Sequence, residues 1–277
     1  MRVTVLGTGS RGNAILVDGT EGSVLVDVGF GRRALEHRFI AASREPAEVG
    51  AVLLTHEHTD HACGARAAST RWGWPIVAVA QTHAALVAQP GSAPAHTGLL
   101  SFREATNICG FDVECVLVPH DARACAALRL TDRASGARLG VAMDLGHVPD
   151  RLPVLLEHCD VLIVESNHDA EMLANGPYPA SLKRRIAGRL GHLSNRTAAS
   201  LIARVAHRGL RAVVLAHLSE TNNTPATALE CARAALRKGG HSIDALHASA
   251  QDLTCGPLHI VGGAARHSHA TQLSLVL

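Results

Sequence analysis

The run Thr55-His56-Glu57-His58-Thr59-Asp60-His61 constrains this chain more than any other segment. It places three histidines and an aspartate within six residues, directly after the apolar run Ala51-Val52-Leu53-Leu54. The apolar run reads as a buried strand. Polar side chains crowded at the end of such a strand are costly unless paired, and a metal is the obvious partner. Imidazole and carboxylate donors suit divalent zinc, manganese or iron and require no thiolate. So many donors in so few residues cannot all reach one ion comfortably. The spacing points to two ions, with His56 and His58 on one and Asp60 and His61 on the other.

The rest of the composition narrows the setting. With 277 residues, 47% of them hydrophobic, the chain is expected to fold as a single globular domain over 1–277, with a disordered tail after about Gly262. No apolar run approaches the ~20 residues of a membrane-spanning helix. The opening Met1-Arg2-Val3-Thr4-Val5-Leu6-Gly7 is too short for a secretory signal and reads as a first strand. The seven cysteines are odd in number and never spaced Cys-x-x-Cys, so they read as free thiols in a reducing cytoplasm. A net charge of +2 gives no global nucleic-acid footprint, so any polyanion site must be local. Aromatics at 3% argue against an extended base-stacking surface; Trp72 and Trp74 read as core, and Tyr178 is the remaining candidate.

Strands are expected at 2–6, 13–18, 23–28, 51–55, 76–80, 111–118, 125–131, 138–143, 161–165 and 211–216. Helices are expected at 32–42, 62–71, 151–158 and 180–190, with a loop from Gln89 to Gly98. One further helix runs from Asn195 as N-cap to Gly209 as stop, and another has Thr224 as N-cap and Pro225 at its first position. Two β-rich blocks, each followed by helices, imply an α/β fold in which two sheets are sandwiched between helices. Gly7-x-Gly9-x-x-Gly12 matches a dinucleotide-binding fingerprint, but Ala14-Ile15-Leu16-Val17 after it is β-like, and the required helix is missing.

The histidine-rich run is not alone at a strand end. Val116-Leu117-Val118-Pro119 leads to His120, Leu139–Met143 leads to Asp144, and Ala212–Ala216 leads to His217. One histidine after a strand is usually structural. Four strand ends with metal-capable side chains, meeting at one rim of a layered fold, make a binuclear site.

This order of Thr-His-x-His-x-Asp-His followed by His, Asp and His resembles the metallo-β-lactamase superfamily over nearly the whole chain. The resemblance implies a four-layer αββα sandwich. It implies that His56, His58 and His120 bind one ion, that Asp60, His61 and His217 bind the other, and that Asp144 bridges them. Asp27 would support the histidine loop by hydrogen bonding. Within the superfamily, the set is similar to the YycJ (WalJ) family of small nucleases. The matching pieces are Gly9–Asn13, Thr55–His61, Val118–Ala122, Glu165–Asp169, Gly176–Pro179, Gly191–Asn195, Ala216–Ser219 and Asn222–Pro225. Cys63, after the metal motif, is expected to pack rather than to ligate.

Gly191-His192-Leu193-Ser194-Asn195 opens a helix, whose N-terminus favours phosphate. The segment is similar to a Gly-His-x-Ser motif that handles phosphate in ribonuclease J type nucleases. Ser194 and Asn195 are therefore expected to bind substrate, with His168 on the substrate side. Lys183-Arg184-Arg185 reads as a solvated helix face, or alternatively as a clamp on the phosphate backbone.

The family implies a 5′-to-3′ exonuclease on DNA, more than on RNA, with two divalent ions, zinc first and manganese or iron as alternatives. Asp60 would orient the nucleophile and His192 would bind phosphate or protonate the leaving oxygen. The rival expectation is hydrolysis of a small thioester, lactone or cyclic phosphodiester. A metal-binding regulator without turnover is a third reading, opposed by the complete ligand set.

Overall fold

The structure is a computed structural model that describes residues 1–89, 91–243 and 245–260. The tail expected to be disordered after about Gly262 lies outside them.

Two sheets of seven strands are built by the same recipe. In the first, β1 (Arg2–Gly7), β2 (Ala14–Asp18) and β3 (Ser23–Val26) form an antiparallel meander. From β3 onward, β4 (Val49–Leu53), β5 (Ile76–Ala78) and β6 (Thr97–Leu99) pair in parallel. In the second sheet, β7 (Thr106–Ile108), β8 (Phe111–Val118), β9 (Cys125–Asp132) and β10 (Arg138–Ala142) are antiparallel neighbours. β11 (Val161–Glu165), β12 (Ala212–Ala216) and β13 (Ala245–Ala248) continue it in parallel. β14 (Cys255–His259) returns to the first sheet, antiparallel to β1.

Parallel neighbours need long crossovers, usually helical. In the first half these are α1 (Arg32–Ala41), α2 (Thr59–Ala62), α3 (Ala65–Trp72) and α4 (Ala80–Ala88). In the second half they are α5 (Arg151–Leu156), α6 (Ala170–Asn175), α7 (Ala180–Ile186), α8 (Asn195–Val205) and α9 (Pro225–Lys238).

The inner faces of the sheets meet in one core, where Val24, Val26 and Leu53 share a cluster with Leu128, Val141 and Ile163. The outer face of the first sheet packs on Leu35 and Phe39 of α1 and on Leu86 of α4. The outer face of the second packs on Leu156 of α5, Leu201 and Ile202 of α8 and Leu236 of α9. This explains the unbroken apolar runs: Val161 and Ile163 face the inner core while Leu162 and Val164 face the helices. The result is the expected four-layer sandwich. β8, β10, β11 and β12 run in one direction, so their C-terminal ends share a rim.

Several boundaries differ from expectation. The helix expected at 62–71 is two pieces, because the chain breaks at Cys63-Gly64. Gly64 donates its N–H to Val28 O at 2.9 Å, and a Cβ there would collide with the Val28 and Phe30 carbonyls. Cys63 is exposed rather than packed. The helix over 195–209 ends at Val205, and its N-cap is Ser194, not Asn195. α4, α6, β6, β7, β13 and β14 were not anticipated, and β6 begins inside the loop expected from Gln89 to Gly98. No helix among the described residues is long and apolar enough to cross a membrane.

Candidate metal centre

The site is built where strands end. β4 runs out at Leu53; the following loop carries His56 and His58, and α2 carries Asp60 and His61. His120 follows β8, Asp144 follows β10, Glu165 closes β11 and His217 follows β12. Three of the turns are left-handed at residues other than glycine: Asp27 at φ 60°, Asp144 at φ 54° and His217 at φ 53°. A bulky residue rarely adopts that conformation, and it persists only where surrounding contacts enforce it. Each of these three residues points a buried side chain into the same cluster.

The histidine loop is braced from beneath. Asp27 is fully buried, and its Oδ1 accepts from Thr55 N at 2.8 Å and from Thr55 Oγ1 at 3.0 Å. Its Oδ2 lies 2.7 Å from His61 Nδ1, and Thr55 Oγ1 lies 3.0 Å from His56 Nδ1. One carboxylate and one hydroxyl thus orient a histidine of each expected ion. Gly29 is required for the same reason: a Cβ there would collide with the Asp60 carbonyl. Asn13 holds the loop from the side, donating Nδ2 to Asp60 O at 3.1 Å.

The seven residues expected to bind metal come together in two groups. His56, His58 and His120 form one, and Asp60, His61, Asp144 and His217 form the other, with one ligand atom per residue within 4.8 Å of its group. His56 and His58 rings are 4.6 Å apart, and His58 and His120 rings 5.0 Å. His120 donates Nδ1–H to Gly191 O at 3.1 Å, leaving Nε2 for the centre. Asp144 lies between the groups, with Oδ2 2.5 Å from His61 Nε2 and 3.8 Å from His56 Nε2.

Glu165 was not singled out as a site residue, although the signal was present: it ends the apolar run Val161–Val164 as His120, Asp144 and His217 follow theirs. It joins Asp144, His192 and His217 in a third overlapping group. Its Oε1 lies 2.7 Å from His192 Nδ1 and 3.1 Å from His217 Nδ1, while Oε2 accepts from Leu193 N at 3.0 Å and Leu145 N at 3.2 Å. Both Nδ1 atoms also face Asp144 Oδ1, at 2.8 Å from His217 and 3.1 Å from His192, so Glu165 and Asp144 together hold the ring protons there.

These donors fit metal ions. His56 Nε2 and His217 Nε2 are buried without a hydrogen bond, and the Asp144 carboxylate, among the described residues, meets only histidine nitrogens. Four carboxylates gather here, and among the described residues none pairs with a lysine or arginine. Burial pushes His56 and His120 below their usual pKa, keeping their rings neutral donors. Burial acts the same way on His61 and His217, but Asp144 overrides it and raises both. His192 is raised to about 9, since Glu165 and Asp144 outweigh its burial. The carboxylates thus draw positive charge from whatever lies beside them, which a divalent ion supplies without an orphaned buried group.

A cavity of about 200 Å³ opens beside the centre, with Ser10, Tyr178, Arg185, His192 and Ser219 on its wall. The residues expected to bind substrate are elsewhere. Ser194 Oγ accepts from Thr197 N at 3.2 Å as a helix cap. Asn195 is buried, bonded to Ser166 and Asn223. His168 is 3% exposed, and its carbonyl takes the Asn195 N–H at 2.8 Å. The first-turn hydroxyl and an amide of α8 are consumed internally, and none of the three residues lines the cavity.

Residues 23–218 match the family described as "Beta-lactamase superfamily domain". The chain belongs to this family. It is 33% identical to exodeoxyribonuclease YycJ of Bacillus anthracis over 80% of this chain and 84% of that protein. It is 31% identical to exodeoxyribonuclease WalJ of Streptococcus pneumoniae over 80% and 83%. Among solved structures, the metallo-beta-lactamase fold protein YhfI of Bacillus subtilis superposes with a TM-score of 0.66 at 18% identity, covering 92% of this chain and 99% of that one. Zn(2+)-bound PqqB of Methylobacterium extorquens gives 0.63 at 18%, covering 92% and 100%. The family, its fold and the His/Asp site together make this a metal-dependent hydrolase of the metallo-β-lactamase fold.

Proposed function

We propose that the chain is a phosphodiesterase that degrades DNA from a strand end in the 5′-to-3′ direction. The observation that carries the reading is the convergence of two buried donor groups beside a small cavity walled by Arg185 and His192. Curated relatives that this chain matches over most of their length are named exodeoxyribonucleases.

In this reading His56, His58 and His120 hold one ion, Asp60, His61 and His217 the other, and Asp144 serves both. When bound, two such ions activate water and offset charge on the phosphoryl oxygens. Zinc suits a nitrogen and oxygen set without thiolate, and manganese or iron would fit the same donors. Asp60, with a quarter of its side chain exposed, orients the attacking water. His192 has its Nδ1 proton committed to Glu165, so its second ring nitrogen meets the substrate and protonates the leaving oxygen. Asp27, Thr55 and Glu165 do not touch substrate; they hold the rings in place. All seven cysteines are free thiols, which supports a reducing compartment, the cytoplasm.

The test is hydrolysis of end-labelled DNA and RNA by protein stripped of metal and reloaded with zinc or manganese, with Asp144→Ala as control. Stepwise release of mononucleotides from DNA, lost in the control, is expected. Inert DNA alongside turnover of a thioester, lactone or cyclic phosphate would move the reading to a small-molecule hydrolase.

A further inference from the structure

The glycine-rich run Gly7-Thr8-Gly9-Ser10-Arg11-Gly12-Asn13 matches a dinucleotide fingerprint without its helix, and the fold gives its glycines another purpose. The run is the loop between β1 and β2, and it lies against the metal centre. Gly9 and Gly12 sit at φ 145° and 149°, where a side chain is strained. A Cβ on Gly9 would strike the Gln251 side chain, and one on Gly12 would strike the Gly29 carbonyl and the Phe30 ring. The loop is therefore pressed between Gln251 and the chain that follows β3.

Thr8 and Asn13 are its buried polar side chains. Thr8 Oγ1 accepts from His217 N at 3.0 Å and gives its single proton to Asn13 Oδ1 at 2.8 Å. Asn13 N and Nδ2 both donate to Asp60 O, at 2.8 and 3.1 Å, and Nδ2 lies 3.0 Å from His61 Nε2. One hydroxyl and one amide thus touch Asp60, His61 and His217. Among the described residues, none of their hydrogen bonds reaches His56, His58 or His120. The bond to His217 matters most, because that residue holds a left-handed backbone that its surroundings must enforce. Gln251, from the connection between β13 and β14, seats the loop. Its buried amide is engaged at both ends, accepting from Arg11 N at 2.7 Å and donating to Gly12 O at 2.9 Å.

We propose that Thr8 and Asn13 are positioning residues for the ion held by Asp60, His61 and His217, that Gln251 seats them, and that the ion held by His56, His58 and His120 is independent of all three. The inference rests on the two-ion reading above and separates the ions. One is held by strand ends and the histidine loop; the other needs, in addition, a clasp from the far end of the described chain.

The test is zinc competition against a fluorescent chelator, using the full chain stripped of metal. Two backgrounds resolve the sites: His120→Ala disables the first group and Asp60→Ala the second. Thr8→Val, which removes the hydroxyl at constant size, should weaken zinc about 10–100-fold in His120→Ala and less than about twofold in Asp60→Ala. Thr8→Ser keeps the hydroxyl and should bind within about threefold of the natural residue in both. Gln251→Ala, remote from every donor, should weaken zinc about threefold or more in His120→Ala only. Equal losses in both backgrounds, no loss in His120→Ala, or Thr8→Ser as weak as Thr8→Val would overturn the assignment. Should Thr8→Val lose its native circular dichroism, Gln251→Ala in the same two backgrounds decides by the same criterion. If the natural chain binds a single zinc, the two-ion reading fails separately, and the loop is judged on that zinc. Loss in both Asp60→Ala and Thr8→Val upholds the assignment; a zinc that tolerates either substitution overturns it.

Discussion

Glu165→Gln isolates the one carboxylate of the metal centre that the sequence reading passed over. The substitution keeps size and shape and removes a charge that two rings and two backbone amides share. Glutamine can face its oxygen toward Leu145 N and Leu193 N, but its amide nitrogen then meets Nδ1 of His192 and His217. Asp144 Oδ1 keeps a proton on each of those atoms, 2.8 Å from His217 and 3.1 Å from His192, so the amide hydrogens meet ring hydrogens there. Turned the other way, the amide presents hydrogens to two backbone N–H groups. Each hydrogen bond to a charged acceptor contributes ~1.5–3 kcal/mol and each buried unmet donor costs ~1–3 kcal/mol. Either orientation therefore loses a few kcal/mol, divided between fold and metal. Outer partners of metal-binding histidines typically contribute about 10–100-fold in affinity.

The assay is zinc competition against a fluorescent chelator, with thermal unfolding of the stripped protein measured in parallel. Affinity is expected to fall about 10–100-fold while far-ultraviolet circular dichroism stays native. Zinc affinity within about twofold of the natural protein would refute the argument, because Glu165 would then contribute nothing to how the two rings are held for metal.

Three further outcomes follow from the geometry. Gly29→Ala should lower stability by about 3 kcal/mol or more in a denaturant titration and abolish metal uptake, since the Asp60 carbonyl occupies the space of the new methyl; a native-like midpoint would show that the loop yields. Ser194→Ala should cost about 1 kcal/mol of stability as a lost cap and leave metal-dependent DNA hydrolysis intact; loss of hydrolysis at unchanged stability would return Ser194 to the substrate. Burial raises the Asp132 carboxyl, but hydrogen bonds from Ser135 and Thr20 outweigh it and hold the group below its usual range. That stability is complete above the unfolded value near ~3.9 and disappears as pH falls through the folded one; acid titrations should show Asp132→Asn lacking this part of the loss.

The layered fold was legible because both faces of each central strand are covered. Val161–Val164 alternates between inner core and helices, leaving an unbroken apolar run that stands out in sequence. The edges were harder. β7 is three residues with no buried side chain, and nothing in Thr106-Asn107-Ile108 separates it from a loop. The cap of α8 was misplaced because Ser194 and Asn195 are both good capping types; the Thr197 N–H chooses the serine.

The metal donors and the cavity wall differ in legibility for one physical reason. Each donor depends on its own strand: an apolar run reports the strand, and the polar residue after it reports the rim. The cavity wall has no such local signature. Ser10 comes from the β1–β2 loop, Arg185 from a helix that buries none of its side chains, and Ser219 from the loop after β12. Their meeting is set by contacts remote in sequence, as when Arg185 reaches Asp121 and Gln251 clasps the Ser10 loop from the far end of the described chain.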